Sequence, residues 1–370
     1  MPASRLPRRQ VAAVVALAAA TLVIGITACG ALAPASQTNA FDEVVSAAAP
    51  RVVWPKPPDA PRIGFVRSLT GPKDWGITRS FFGRLADALT GRGEDKFVRP
   101  AAVAEHDGVL MVADPGARSL WILDAPRGRL ARITQLGAEP LVSPVALALR
   151  ADGSMFLADT GLKKVFLLDA SGVLIRSIES QALERPAGLA WNEGERRLYV
   201  VDSLRHRVSV FDANGALLRH LGQSGSGAGQ FNHPTHIALD PAGPIVVTDA
   251  LNFRIQMIGH DGSFVHRFGQ VGDGAGDFSA PKGVAVDRDG HIHVVDARFD
   301  AVQVFDRQGA LLMAYGERGS GPGQLSLPGG IFISAANQIY VADGYNNRVQ
   351  VYAGVAASTL TPAQITKEVQ

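Results

Sequence analysis

The side chains best suited to chemistry in this chain cluster beside prolines. In His233-Pro234-Thr235-His236, two imidazoles flank a turn-forming residue. Imidazole exchanges protons and ligates metals near neutral pH, so this segment is the leading candidate for a polar ligand contact. A catalytic zinc wants three protein ligands, and one or two histidines in a single segment fall short of that. His291 and His293 alternate along an extended stretch and therefore share one face; His293 takes a slot held elsewhere by Tyr199 and Tyr340, which predicts packing. Asn192, Asp240 and Asp287 each stand six places after a proline. They offer the oxygens that calcium requires, or they simply end strands. Arg207, Arg254, Arg348 and Asn346 follow aspartates at short, fixed offsets and could donate hydrogen bonds to a ligand. Trp75 and Phe81 are candidates for docking a partner. No residue is assigned a catalytic role, and no metal or cofactor is assigned.

These residues are positioned by a repeat. Pro100, Pro144, Pro186, Pro234, Pro281 and Pro328 are spaced 44, 42, 48, 47 and 47 residues apart. A second series, Asp114, Asp159, Asp202, Asp249, Asp296 and Asp343, runs in step with the prolines. Between the marks lie four short apolar segments of period two, separated by turns containing glycine, which reads as four strands per copy. A four-stranded sheet of 40 to 50 residues cannot bury both faces alone and must stack on its neighbours around an axis. Six copies therefore predict an all-β, six-bladed β-propeller of four-stranded antiparallel blades. The recurrence of the aspartates in every copy predicts a turn device that accepts backbone N–H groups.

Blade six runs Ile339-Tyr340-Val341-Ala342-Asp343-Gly344-Tyr345-Asn346-Asn347-Arg348-Val349-Gln350-Val351-Tyr352, and blade five opens Pro281-Lys282-Gly283-Val284-Ala285-Val286-Asp287. These segments resemble the NHL-repeat family over about residues 62–352; blade five departs from the pattern with Ala301 in place of the arginine. The resemblance implies a ring that binds a protein, peptide or glycan on its loops. It also admits an alternative, because NHL-like and related six-bladed rings include a metal-dependent lyase and lactone hydrolases. In the lyase pattern, zinc-binding histidines directly follow some blade prolines; here those places hold Ala101, Val145, Ala187, Thr235, Lys282 and Gly329.

The sixth copy has only three strands before Tyr352, while residues 62–71 match the fourth strands of other copies. The N-terminal strand is thus expected to complete the last blade and remove two exposed edges. Between it and blade one, residues 72–96 carry apolar side chains at helical spacing, predicting one helical insert that either caps the ring or docks a partner. Residues 353–370 read as a loose tail.

Arg5, Arg8 and Arg9 precede an apolar stretch from Val11 to Ile26, the pattern of an export signal. It ends in Ile26-Thr27-Ala28-Cys29, which resembles a bacterial lipobox. The resemblance implies a signal peptide over 1–28, lipidation of Cys29 as the membrane link, and a flexible tether over 29–61. Ala31 is not the aspartate associated with inner-membrane retention, which implies the outer membrane of the cell envelope. Removing residues 1–28 takes away three arginines and no acid, leaving 33 Lys+Arg against 34 Asp+Glu. That balance argues against nucleic acid as a partner. Cys29 is the single cysteine, so no intrachain disulfide can form.

Overall fold

The computed structural model describes residues 52–77 and 95–355. They form six antiparallel sheets arranged as blades. The innermost strands are Ala102–His106, Pro144–Leu149, Pro186–Asn192, Pro234–Leu239, Pro281–Val286 and Ile331–Ile333. Each packs against the innermost strands on either side, and blade six meets blade one, so the ring is closed.

The burial pattern explains the sequence pattern. The middle strands of a blade are covered on both faces by adjacent blades, so segments such as Leu198-Tyr199-Val200-Val201 are continuously apolar and buried. The outermost strands show one face to solvent, and in Leu311–Tyr315 more and less exposed residues alternate. Among the described residues the apolar core falls into six clusters, one between each pair of neighbouring blades. At roughly 1.5–3 kcal/mol per fully buried large apolar side chain, these interfaces dominate the ring's stability.

The aspartate series is a turn device. Asp159 accepts hydrogen bonds from the N–H groups of Val142 and Ser143 on the incoming link, and from Gly161 and Leu162 in its own loop, at 2.8–3.1 Å. Asp114, Asp202 and Asp296 do the same in their blades. Each carboxylate fastens the link entering a blade to the loop between that blade's second and third strands.

Ile63–Leu69 pairs antiparallel with Arg348–Gly354, Leu69 opposite Val349 and Ile63 opposite Gly354. A fifth strand, Val53–Trp54, lies outside it. This shortens the expected tether of 29–61, since ordered pairing already begins at Val53, and the C-terminal strand runs two residues into the expected tail. Pro55, Pro57 and Pro58 favour reading this stretch as a linker. Trp54 overrides that composition by burying its indole against Tyr315 and Tyr352.

Of the expected insert, Pro72–Trp75 forms one turn of 3-10 helix; residues 78–94, with Phe81, lie outside the described residues. Trp75 is corrected as a docking residue. It is 2% exposed, donates from Nε1 to the Gly108 carbonyl at 3.0 Å, and is covered by the Arg67 guanidinium at 4.8 Å. It is part of the interface between blades six and one.

Candidate functional site

Antiparallel order puts the loops between second and third strands, and the links between blades, on one face of the ring. The first residues of the innermost strands open onto that face. A channel of about 280 Å³ runs between the innermost strands, with walls of Ala, Val, Leu and Ile and the imidazole of His236.

The strand pairing of blade four slips between Pro234 and Ile237, leaving Thr235 and His236 out of the ladder. Neighbouring blades put small residues where His236 stands, because adjacent innermost strands approach closely there. A Cβ on Gly188 would lie 2.6 Å from the Thr235 carbonyl oxygen and 2.9 Å from the His236 Cα. Blade five slips at the same place between Pro281 and Val284 with Gly283 there, so blade four differs in the side chain and not in the backbone. Two polar atoms of this segment are buried without a partner, His236 Nδ1 and Thr235 Oγ1, and of the two residues His236 lines the channel. Burial, and secondarily the positive charge of Lys282, push the imidazole down to about 3. The residue is partly exposed and lines the channel among apolar side chains, which favours the neutral imidazole at physiological pH.

The other expected contact residues divide differently. His233 stands on the rim in a left-handed conformation, φ 49°. Its N–H donates to His206 Nδ1 at 3.0 Å, the rings meet edge to face at 4.5 Å, and its own Nδ1 lies 3.0 Å from Asn232 Oδ1. It joins two blades and is not aimed into the channel. Burial first, then His206 and Arg185, lower its pKa.

Arg254 and Arg348 are corrected from ligand contacts to structural ties. Both are buried. Arg348 donates from Nε to Asp343 Oδ2 at 2.8 Å, and from its terminal nitrogens to the carbonyls of Ser320, Gly321 and Gln324 at 2.7–3.0 Å. Arg254 repeats the arrangement with Asp249, Ser226, Gly227 and Gln230. Asn346 donates to the Gly319 carbonyl and to Asp343. The guanidinium groups thus fill the concave side of the glycine-rich links. Blade three has a shorter link, so Arg207 reaches one carbonyl, Ala182, at 3.4 Å and its Nε is left unpartnered. In blade five, where Ala301 stands, Arg318 instead donates to Asp300 at 2.7 Å.

Asn192, Asp240 and Asp287 do not converge on the channel. Each caps the turn between first and second strands, accepting backbone N–H groups through Oδ1. Asp240 is also held by Arg307 through two bonds of 2.7 and 2.8 Å.

The same loop face carries a feature that alternation along the strands does not signal. Val98, Val142, Leu204, Leu251, Val271, Leu327 and Tyr345 all stand exposed on it, Tyr345 at 70%. Leu204, Leu251 and Tyr345 occupy one repeated place, two residues after the aspartate, while Val98 and Val142 stand two residues before a proline. Apolar residues at loop positions where polar ones belong were the available signal. Exposed Arg118 and Arg298 stand among them.

Comparison with known proteins agrees with this architecture. Residues 190–255 match a family described as 6-bladed beta-propeller, and residues 325–352 match the NHL repeat. The chain is a six-bladed propeller carrying an NHL repeat. Among curated proteins, none matches it. Solved structures similar to this NHL-repeat propeller include a protein of unknown function from Bacteroides thetaiotaomicron, 16% identical over 80% of this chain and 76% of that one, with a TM-score of 0.60. A gluconolactonase from Xanthomonas campestris is 18% identical over 80% and 99%, TM-score 0.54. Virginiamycin B lyase from Staphylococcus aureus is 15% identical over 70% and 86%, TM-score 0.53. At such identities these likenesses establish the fold, and a fold of this kind hosts binding and catalysis alike.

Proposed function

We propose that this propeller is a lipid-anchored binding scaffold of the cell envelope that receives a protein partner on its loop face. The observation that carries the reading is the set of exposed apolar side chains there, which includes Leu251 of blade four and Leu327 and Tyr345 of blade six. Contiguous exposed apolar groups rimmed by polar ones mark interaction surfaces, and tyrosine and arginine supply much of the binding energy at such surfaces. Exposed Arg118 and Arg298 favour a partner with acidic groups around an apolar centre. The imidazole of His236 on the channel wall suits a polar group of the same partner.

Lipid anchoring rests on the sequence up to Cys29. More than one acyl chain there, at about 0.8 kcal/mol per buried CH₂, holds a protein stably on a membrane. The alternative, lyase or lactonase chemistry in the channel, has His236 as its best residue. An imidazole pushed to about 3 is a weak base at neutral pH, which favours hydrogen-bond contact over proton abstraction. Site-specific photo-crosslinking in cells tests the scaffold reading. A benzophenone side chain in place of Tyr345 should capture a discrete protein, while one in place of Val173, exposed in the turn before the outermost strand of blade two, should not; equal labelling at both positions would defeat the proposal.

A further inference from the structure

On the opposite face, at the seam between blade five and the closing blade, a second cavity of about 190 Å³ is lined by Asp287, Asp289, His291, His293 and Asn337, with Arg62 at its edge. We infer that this cavity is a zinc site that clasps blade five to blade six. The turn Asp287–His291 is fixed by Asp287 Oδ1, which accepts the N–H groups of Asp289 and His291 at 2.9 and 2.8 Å. That leaves Oδ2 pointing away from the turn, 2.9 Å from His291 Nδ1 and 3.4 Å from Nε2 of the buried His293. One ligand atom from each of Asp287, Asp289 and His291 lies within 4.8 Å of the others.

An independent observation comes from the other blade. Asn337, in the turn between the first two strands of blade six, lines the same cavity, and its Oδ1 is buried with no hydrogen-bond donor. A buried carbonyl oxygen without a partner costs about 1–3 kcal/mol, and a cation would satisfy it. The remaining charged groups nearby are occupied or peripheral: Arg307, packed over Gly290, is paired with Asp240, and Arg288 donates to the Ala335 carbonyl.

The donor set selects the metal. Calcium and magnesium take oxygen ligands almost exclusively, whereas one imidazole nitrogen with two carboxylates and an amide oxygen suits zinc at about 2.0–2.2 Å. Tetrahedral ligands at that distance lie roughly 3.3 Å apart, so the exposed Asp289 must close in. His293, hydrogen-bonded to both Asp287 and Tyr315, would orient the Asp287 carboxylate from behind, as outer-shell partners do. The clasp would supply a cross-link in a ring whose single cysteine allows no intrachain disulfide.

The test uses the full chain without a histidine tag, stripped with chelator, titrated with zinc chloride and separately with calcium chloride. One zinc equivalent should bind and raise the unfolding temperature. Asp289→Asn combined with His291→Gln should weaken binding roughly tenfold or more while leaving the unfolding temperature of the metal-free protein unchanged. Asn337→Ala should weaken it as well. Absence of stoichiometric zinc in the unaltered chain, unchanged affinity in the double variant, or preference for calcium would overturn the assignment; full affinity in Asn337→Ala would overturn the clasp between blades.

Discussion

Ser68 Oγ donates a 2.7 Å hydrogen bond to Gln350 Oε1, joining side chains 282 positions apart in the chain. The bond lies on the strand pair that closes the ring, where an N-terminal segment supplies the fourth strand of the last blade. Without that strand, the third strand of blade six would offer an open edge to other chains.

Trp54 measures how much the added fifth strand contributes. Its indole is buried and meets Tyr352 at 5.8 Å and Tyr315 at 6.3 Å. Trp54→Ala should lower the unfolding free energy by about 3 kcal/mol, read from urea denaturation. A loss below about 0.5 kcal/mol would mean that this strand is only loosely seated.

Arg348 and Arg207 occupy equivalent places and should behave differently. Burial raises the Asp343 pKa, opposed by Asn346, the Ser326 N–H and Arg348. Arg348→Ala strands that carboxylate and should cost about 3–5 kcal/mol. Arg207→Ala, which forfeits one long bond to a carbonyl, should cost about 1 kcal/mol or less. Equal losses in parallel denaturation curves would contradict the structural role given to the Arg348 tie.

His236 makes stability depend on pH. Its folded pKa of about 3 lies below the ordinary histidine value of 6.5, so below pH 6.5 the unfolded chain binds a proton that the folded chain does not. Stability contributed by the neutral imidazole is therefore complete above pH 6.5 and declines as pH falls toward 3, by at most about 1.4 kcal/mol per pH unit. Between pH 7 and pH 5, His236→Ala should lose about 1–2 kcal/mol less than the unaltered protein. Identical pH slopes would show that the folded imidazole takes up its proton as it does in the unfolded chain.

Periodicity made much of this legible. The proline and aspartate series fixed six blades because every copy must solve the same turn, and His236 stood out because five other copies hold Gly or Ala in its place. Arg254 and Arg348 misled for the same reason: an arginine on a loop reads as available, and only the folded glycine-rich link shows its donors consumed. Asp287, His291 and His293 were visible as polar groups at one end of blade five, but Asn337 carried no sequence signal, since it joins their cavity from a turn of the next blade. Trp54 was hidden among prolines whose local preference is overruled by one buried ring.

Cys29, outside the described residues, is the proposed site of the lipid anchor. Cys29→Ser should move the protein from the membrane fraction to the soluble fraction of fractionated cells, and mass spectrometry of the unaltered protein should find an acylated N-terminal cysteine. Membrane retention of the serine variant would remove the lipid anchor from the proposal.

The most direct measurement is the affinity of the purified propeller for the protein captured at Tyr345, compared with that of Leu251→Asp combined with Tyr345→Asp. Losing apolar contacts of this kind costs roughly 2 kcal/mol or more at a binding hot spot. The dissociation constant of the double variant should rise at least about thirtyfold, with circular dichroism unchanged. Undiminished affinity in the double variant would contradict the assignment of the loop face as the binding surface.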